Sequence, residues 1–554
     1  MCETIRFKYL APGFTGGLCV LSLFVTFIFT SPVFADDLYD IFRNPPAEER
    51  PFFHWDWPAK VPGEEEIIRQ LDVFKNSGFG GVEIAPAGIT LATAKSLKFA
   101  ADEARKRELL VDLALTWPLT SPSLDLDECA KKITLDKKFL KGPMQFHADV
   151  NDLINPAVNH SGSRLMFLRL ISLDIKRFTA GGEFIDQVKQ NGSIDFNIPD
   201  GNYALYIGVL SRQTAINNQQ SVIDPLNGQV VEKYFNNLSA ALAPSFGGNL
   251  GDTLHAISFN KFEPAGTNWT SDFEQQFVKR RGYNLINCLP VIFDNNITDY
   301  NTDFYETIRQ KRYDFYITLT ELLNERFLAV FNDFCRGNGV LARFELPENS
   351  VFPDLPDANL PFDIALSKIV SNPREHNFIV STTGHFAVQP QTTCRFSDDP
   401  CLPENQPYFF GIHDIAFVSG INQFICTRRN SGPGSYIDRN ARLCAVFRNS
   451  RLNIRPTVEI SPANPSLLFI SYVSGNRDIF FFTNIDRSRP LSFNARFETG
   501  DKIPWLWNPL TGSRNLFHSG SSRNSLDIEL DHLDSILLVF EPNLPDNPPA
   551  LNIN

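Results

Sequence analysis

The sequence of 554 residues lacks several patterns that would point directly to a function. It has no long block of lysine and arginine and a formal net charge of −12, which argues against a nucleic-acid partner because nucleic-acid-binding surfaces cluster basic side chains. It contains no C-x-x-C pair, H-E-x-x-H motif or EF-hand loop, so spacing identifies no zinc or calcium site. No glycine-rich phosphate loop follows a strand-like segment, which argues against a nucleotide-binding sheet.

A basic start and an apolar run set the first 35 residues apart from the rest. The apolar run covers residues 17–30, and small side chains then precede a cleavage point after Ala35. This pattern predicts a signal peptide over residues 1–35 and a secreted or periplasmic protein. The run is shorter than the roughly 20 residues that cross a bilayer, so we expect no stable membrane span after the signal is removed. An uncleaved membrane anchor is the alternative.

Seven cysteines follow the predicted signal peptide, and an odd number cannot all pair. Cys394 and Cys401 are close enough in sequence for a local disulfide in an oxidising compartment. Buried free thiols are the alternative.

From residue 51 onward, short apolar runs bounded by glycine, proline and asparagine alternate with segments of helical period. Residues 64–77, for example, place Ile67, Leu71 and Phe74 on one face of a helix. Eight strand-like runs alternating with helices are typical of an α/β fold, a (β/α)8 TIM-like barrel, with an open doubly wound sheet as the alternative. The eight runs cover residues 52–57, 81–85, 109–115, 254–260, 340–346, 378–383, 421–427 and 456–461.

Two regions depart from this alternation. Between residues 138 and 222 the helical period gives way to alternating apolar and polar residues, which predicts an inserted β-rich domain. Short alternating segments over residues 463–554 predict a C-terminal β-sandwich. The catalytic barrel is therefore predicted in two parts, residues 36–137 and 223–462.

Acidic residues at strand ends are the first candidates for chemistry, because the carboxyl ends of barrel strands open into the active site. Glu83 lies in the second strand-like run, Glu263 follows the fourth, and Glu345 ends the fifth. Two carboxyl groups that face one cleft can hydrolyse a sugar acetal by acid-base chemistry. Asp56 and Asp112 are further candidates. The alternative for each is a structural one, in which the carboxylate caps a helix or holds an arginine.

Aromatic and polar side chains near the same strand ends suit contact with a sugar, since aromatic rings stack on sugar faces. An aromatic residue at a strand end also serves as core, which is the alternative. The predicted substrate-binding residues are His54, Trp55, Asp56, Trp57, Glu83, Trp117 and Trp269.

Several short motifs follow one another along the chain, among them residues 51–58 (PFFHWDWP), 71–83 (LDVFKNSGFGGVE), 114–122 (ALTWPLTSP) and 277–290 (FVKRRGYNLINCLP). In this order they resemble glycoside hydrolase family 106, whose characterised members are α-L-rhamnosidases. The resemblance implies a barrel with β-sandwich accessories, hydrolysis with inversion of anomeric configuration, and dependence on Ca²⁺. It also implies that Glu263 is the general acid and Glu345 the general base.

Two functional hypotheses follow. The first is a secreted glycoside hydrolase that cleaves terminal α-L-rhamnosyl or related deoxysugar linkages of polysaccharides. The alternative is a catalytically impaired glycan-binding protein on the same fold. Asn260, Gln389 and Gln391 motivate the alternative, because the family resemblance leads us to expect acidic residues there. Both hypotheses name a carbohydrate as the partner.

Overall fold

The computed structural model describes residues 37–121, 124–154, 163–173, 193–214, 221–260, 267–294, 296, 302–345, 364–368, 393–397, 414, 417–418, 423–426, 435–453, 458–517 and 522–542. The predicted signal peptide, Glu263, Gln389 and Gln391 lie outside these ranges. Asn260 and Glu345 lie inside them as backbone positions only.

The strands, numbered along the chain, are β1 (Phe52–Trp57), β2 (Gly81–Pro86), β3 (Leu110–Thr116), β4 (Thr120–Ser121), β5 (Lys131–Asp149), β6 (Arg164–Ser172), β7 (Ser193–Arg212), β8 (Ser221–Val222), β9 (Ala256–Asn260), β10 (Leu341–Glu345), β11 (Ile364–Lys368), β12 (Thr393–Ser397), β13 (Gln423–Cys426), β14 (Arg451–Leu452), β15 (Val458–Ser461), β16 (Leu467–Ser474), β17 (Arg477–Asn484), β18 (Leu491–Phe497), β19 (Ile503–Asn508), β20 (Ser513–Leu516), β21 (Ser525–Leu530) and β22 (Ser535–Glu541). The α-helices are α1 (Asp37–Arg43), α2 (Glu64–Asn76), α3 (Leu91–Lys106), α4 (Val150–Leu153), α5 (Gly228–Phe246), α6 (Phe273–Arg281), α7 (Leu289–Phe293), α8 (Tyr305–Leu323), α9 (Ala329–Gly337) and α10 (Ser435–Arg448). A π-helical turn, Asn324–Leu328, joins α8 to α9.

Eight parallel strands close into a barrel in the order β1, β2, β3, β9, β10, β11, β12, β13. The register places His54 of β1 opposite Glu83 of β2, and Glu83 opposite Asp112 of β3. It also places Arg343 of β10 opposite Ser258 of β9. Polar positions far apart in sequence are thus brought to neighbouring levels of one barrel, and the predicted mixed α/β class is confirmed.

Helix α2 shows why the sequence folds this way locally. Its first turn carries three glutamates, which interact favourably with the positive end of the helix dipole. Ile67, Leu71 and Phe74 form its buried face, as their spacing predicts. The Phe74 ring stacks on Phe53 of β1 with centroids 4.5 Å apart, so this helix covers the outside of the barrel beside β1.

The barrel strands differ from those predicted at two places. The run at 456–461 is wrong as a barrel strand, because β15 pairs antiparallel with β18. Its side chains alternate between half-buried and exposed, which is typical of a strand with one face in water, whereas parallel barrel strands are buried on both faces. The strands β11 and β12, which complete the barrel, were not predicted, and the predicted run at 378–383 lies outside the described residues.

The inserted region contains a three-stranded antiparallel sheet in the order β5, β7, β6. This sheet begins at Lys131, before the predicted start of the insertion at residue 138. One set of its side chains, including Leu168 and Ile207, forms a separate apolar cluster. Phe167 and Tyr206 from the opposite set join the main core of the barrel. The sheet is therefore packed on the barrel by one face.

Two antiparallel sheets follow α10, one of six strands and one of three. Phe480 of the larger sheet and Phe497 of the smaller one contact each other edge-on, with centroids 4.8 Å apart, within a shared apolar cluster. Phe481, on the other face of β17, packs against Phe447 of α10 at 5.6 Å. The larger sheet thus has one face in the cluster that it shares with the smaller sheet and the other in the main core.

Candidate functional site

A chain of polar side chains crosses the barrel interior and is centred on Glu83. Its Oε2 atom lies 2.6 Å from Nδ1 of His54, and its Oε1 atom accepts a hydrogen bond of 2.8 Å from the Ser258 hydroxyl. Oε1 also forms an ion pair with Nη2 of Arg343. Glu83 is buried, so its carboxylate contacts His54 from the protein interior and is not itself open to solvent.

Arg343 connects this carboxylate to a second one. Its Nη1 atom donates to Oδ2 of Asp112 at 2.7 Å, and Oδ1 of Asp112 lies 2.8 Å from Nδ1 of His255. Both Arg343 and Asp112 are fully buried. One guanidinium therefore stands between two buried carboxylates, and each carboxylate also contacts an imidazole. Glu83 and Asp112 therefore match the structural alternative for these carboxylates, in which the carboxylate holds an arginine.

This chain of polar side chains reaches solvent through His54 and Asp56. The His54 side chain is 19% exposed, and its Nε2 atom lies 3.2 Å from Oδ1 of Asp56, whose side chain is 85% exposed. Because Nδ1 of His54 faces a buried carboxylate, the Glu83 contact orients the ring and leaves Nε2 on the exposed side. The structure thus brings together three predicted site residues, His54, Asp56 and Glu83.

The four predicted tryptophans lie in the main apolar core. The Trp55 ring contacts Phe74 of α2 at 5.3 Å, and Trp57 contacts Trp55 at 5.4 Å. Alternate side chains of a strand point to opposite faces, so these two rings face the helix that covers β1 while His54 faces inward. Their contact with a sugar stays a prediction that their burial does not support.

Trp117 and Trp269 are buried in the same way near other helices. Trp117 contacts Phe327 with ring centroids 5.8 Å apart, and Trp269 contacts Phe273 at 4.9 Å. The packing of these two residues matches the alternative, in which an aromatic residue at a strand end belongs to the core. Their contact with a sugar stays a prediction.

In the sequence, the two glutamates predicted as acid and base come at the end of, or just after, the paired strands β10 and β9. Glu345 is the last residue of β10, two positions after Arg343. Glu263 follows the end of β9 by three positions. Their roles as general base and general acid stay predictions.

A cavity of about 370 Å³ lies at the carboxyl ends of β2 and β3, against α5. Its volume is within the range of small-molecule sites. Thr116, Thr120 and Asn237 offer polar groups, and Leu119 and Ile223 are among its apolar walls. No local pattern in the sequence indicates this cavity, because its lining comes from three separated segments.

Tyr234 also lines this cavity. Burial raises the pKa of its phenol to about 12, so its hydroxyl remains a hydrogen-bond donor at neutral pH.

No group of three or more histidine, cysteine, aspartate or glutamate side chains is arranged to hold a metal ion within the residues that the structure describes. The carboxylates of Glu83 and Asp112 are engaged by Arg343 instead. Dependence on Ca²⁺ stays a prediction from the family resemblance. Over the same part of the chain, no helix has the length and apolar character needed to cross a membrane.

A solved enzyme structure has the same fold. The chain aligns with a rhamnosidase from Novosphingobium sp. PP1Y with a TM-score of 0.65 and 12% sequence identity, over 93% of this chain and 84% of that one. At this identity the likeness shows the fold alone.

Sequence comparison finds a likeness to glycoside hydrolases over part of the chain. Residues 183–356 match the family model described as alpha-L-rhamnosidase, glycoside hydrolase family 106. This match confirms both the predicted class of enzyme and the predicted family resemblance. A putative beta-glucuronidase from Formosa agariphila is 25% identical over 118 residues, which are 21% of this chain. The aligned part covers 10% of that relative's length.

Proposed function

We propose that the protein hydrolyses terminal α-L-rhamnosyl or related deoxysugar linkages of polysaccharides, with inversion of configuration. The observation that carries this proposal is the family match over residues 183–356, a segment that contains both Glu263 and Glu345. The barrel supports it, since the two glutamates follow or end the adjacent strands β9 and β10.

The proposed reaction divides the work between these two carboxyl groups. Glu263 donates a proton to the glycosidic oxygen as its bond to the anomeric carbon breaks. Glu345, as a carboxylate, takes a proton from the water that attacks the anomeric carbon from the opposite face. Inversion needs a separation of about 6.5–9.5 Å between the two carboxyl groups, which leaves room for this water.

His54 and Asp56 are proposed to bind sugar hydroxyl groups at the mouth of the barrel. His54 presents Nε2 on its exposed side, and Asp56 is largely exposed beside it. Glu83 is proposed to act through His54, because its own oxygen atoms contact His54, Ser258 and Arg343.

The remaining expectations belong to the same proposal. The eight-stranded barrel is interpreted as a TIM-like (β/α)8 barrel, residues 138–222 as an inserted domain, and the last two sheets as a β-sandwich. Residues 1–35 are proposed to direct secretion or export to the periplasm, and Ca²⁺ is proposed to assist the reaction.

The test uses the mature protein with an aryl α-L-rhamnoside and with rhamnose-containing polysaccharides, with Ca²⁺ and with a chelator. We expect Glu263→Gln and Glu345→Gln each to lower turnover by about 10²–10⁴-fold, the usual contribution of a general acid or base. Glu306→Gln is the control, because that side chain is 83% exposed on α8, and we expect its activity to match the unmodified protein. Equal activity in all three variants would refute the assignment.

Proton NMR of the first product reports the stereochemistry. An initial product of inverted configuration supports two separate acid and base groups, and a retained configuration contradicts the proposal.

The alternative function is a glycan-binding protein with little or no turnover. It is motivated by Asn260, which ends β9 where the family resemblance leads us to expect an acidic residue. Saturable binding of the polysaccharide without release of sugar by the unmodified protein would favour this alternative.

A further inference from the structure

The cavity lined by Pro86, Thr116 and Tyr234, called here the rim cavity, lies at the carboxyl ends of the barrel strands. Pro86 is the last residue of β2, and Thr116 is the last residue of β3. In the strand register Pro86 pairs with Trp57, one position beyond the pair of Ala85 with Asp56. The rim cavity is therefore next to the position of Asp56, which is proposed to bind sugar hydroxyl groups.

Ordered elements form the walls of the rim cavity. The side chains that α5 contributes have the spacing of one helix face: Val230, Tyr234, Asn237, Leu238 and Ala241. Another wall contains Leu119 and Ile223, whose backbones are joined because the Ile223 N–H donates to the Leu119 carbonyl at 3.0 Å. The cavity is thus formed before a ligand arrives, as most small-molecule sites are.

Tyr234 supplies the observation that points to a ligand. Its ring is partly buried against the main core, and burial raises the pKa of its phenol to about 12, so the hydroxyl is largely withdrawn from bulk water. This hydroxyl forms no hydrogen bond with any residue that the structure describes. Polar groups withdrawn from water nearly always have a partner in folded proteins. A ligand with a hydroxyl group would supply one.

The lining of the rim cavity has the mixed character that suits a sugar ring. Thr116 and Asn237 join Tyr234 in offering groups that donate and accept hydrogen bonds, and Leu119 and Ile223 are apolar. A sugar has hydroxyl groups around its edge and C–H groups on its faces, so it matches both kinds of wall. The volume of about 370 Å³ is near the lower end of the range of roughly 300–1,000 Å³ for small-molecule sites, which suits one sugar unit.

The charges around the rim cavity favour a neutral sugar. Its described lining residues include no carboxylate, and Lys233 is the single cation among them. Lys233 already donates to Oε1 of Glu128 at 2.8 Å, and this hydrogen bond raises the pKa of the lysine and lowers that of the glutamate. Glu128 and Asp56 place negative charge near the cavity, so an anionic unit such as a uronate would meet repulsion.

We propose that the rim cavity binds one neutral sugar unit of the polysaccharide, the unit that carries the terminal deoxysugar, through Tyr234 and Asn237. This inference rests on the proposed function, because it assigns the neighbour of the terminal unit that is proposed to contact His54 and Asp56. The protein is then selective for the sugar to which the terminal deoxysugar is attached.

The first test measures binding without cleavage by isothermal titration calorimetry at pH 7. The probes are methyl α-L-rhamnoside and two disaccharides in which α-L-rhamnose is joined through sulfur to C4 of glucose or of glucuronic acid, because a sulfur linkage resists hydrolysis. We expect the glucose disaccharide to bind about tenfold more tightly than the methyl glycoside, since each added hydrogen bond contributes a few-fold in affinity. We expect the glucuronic acid disaccharide to bind more weakly than its glucose counterpart.

Two pairs of variants test the hydrogen-bonding residues. We expect Tyr234→Phe and Asn237→Ala each to weaken binding of the glucose disaccharide by about 3- to 10-fold, the usual contribution of one hydrogen bond. Tyr316→Phe is the control for the first, because burial also raises the pKa of Tyr316 and this residue lies on α8. Asn236→Ala is the control for the second, because Asn236 is exposed on α5 outside the cavity lining. Both controls should bind as the unmodified protein does.

A third pair tests the cavity by filling it. Ala241→Phe places a ring in the rim cavity and should reduce the affinity for the glucose disaccharide to that for methyl α-L-rhamnoside. Ala240→Phe is the control, because Ala240 is exposed on the same helix and does not line the cavity. Circular dichroism and thermal unfolding establish that each variant is folded, and the Tyr234 and Asn237 variants decide the question if Ala241→Phe does not fold.

Three results would overturn the proposal. The first is equal affinity of the unmodified protein for the glucose disaccharide and methyl α-L-rhamnoside. The second is tighter binding of the glucuronic acid disaccharide, which would contradict a neutral ligand. The third is unchanged affinity in both Tyr234→Phe and Asn237→Ala.

A crystal structure with the glucose disaccharide locates the second unit directly. Its glucose ring within hydrogen-bond distance of Tyr234 would support the proposal, and a glucose ring outside the rim cavity would contradict it. Turnover of an aryl α-L-rhamnoside is measured separately. If the protein binds the disaccharide in the cavity and cleaves no glycoside, the proposed function fails and the sugar site stands. If it cleaves the aryl glycoside and the disaccharide gains no affinity, the sugar site fails alone.

Discussion

Replacement of Arg343 by methionine is the most direct test of the polar chain in the barrel interior. The guanidinium is fully buried between Glu83 and Asp112, which are buried as well. Methionine has a similar length and no charge, so the substitution removes the cation and leaves two carboxylates on adjacent strands without it. The register pairs Glu83 directly with Asp112, which adds repulsion between like charges.

Removal of one partner from a buried ion pair typically costs about 3–5 kcal/mol of unfolding free energy. Hydrogen bonds from Ser258 and contacts with His54 and His255 remain, so the carboxylates keep some partners. We therefore expect a loss of about 3–5 kcal/mol at pH 7, rather than the larger cost of two isolated buried charges.

The assay is urea unfolding followed by tryptophan fluorescence, at pH 7 and again at acid pH. Protonation of the two carboxyl groups removes the uncompensated charge, so the difference between Arg343→Met and the unmodified protein should shrink as the pH falls. Adding Glu83→Gln to Arg343→Met should restore part of the stability at pH 7. Arg336→Met is the control, because that side chain is 76% exposed at the end of α9, and we expect a change within about 0.5 kcal/mol.

A loss below about 1 kcal/mol at pH 7, or a loss that grows as the pH falls, would refute this account of the interior. Either result would mean that the guanidinium does not compensate the two carboxylates.

Three further predictions concern single positions. Burial raises the pKa of Asp224 from 3.8 to about 7. Because this pKa is higher in the folded state, the protein loses stability as the pH rises between these two values. Asp224→Asn should therefore flatten the dependence of Tm on pH between about 4 and 7, and an unchanged slope would contradict this. The Thr90 side chain accepts from the Thr93 N–H at 3.2 Å as the N-cap of α3, so Thr90→Ala should lower the unfolding free energy by about 1 kcal/mol in urea titration, and no loss would exclude the cap. A methyl group at Gly80 would lie 1.8 Å from the carbonyl oxygen of Ala47, so Gly80→Ala should destabilise the protein by about 1–3 kcal/mol or more in thermal unfolding, whereas a stable variant would show that this backbone contact yields easily.

The candidate site was predictable in part, because carboxylates and histidines at strand ends carry a signal in the sequence. His54, Asp56 and Glu83 were predicted together, and the parallel register brings them together. Arg343 gave no such signal, since an arginine within an apolar run is not distinguished by type or spacing. Its partner Asp112 is 231 positions away in the chain, and only barrel closure brings the two into contact.

The tryptophans of β1 are a second case in which a local pattern does not determine the surroundings of a side chain. A strand pattern states that Trp55 and His54 point to opposite faces, but not which face is the interior. Packing of α2 against β1 decides this, and it places the indole rings of Trp55 and Trp57 in the core.

The sequence by itself determined the mixed α/β class, the strongly apolar strands from β1 to β3, and the family resemblance, because these depend on local periodicity and on the order of short motifs. Tertiary structure decided which short polar strands complete the barrel, as with β11 and β12, and which strand leaves it, as with β15. It also decided that Arg343 joins two buried carboxylates. These outcomes depend on contacts between residues that are distant in the chain, and a local pattern of residues carries no information about such contacts.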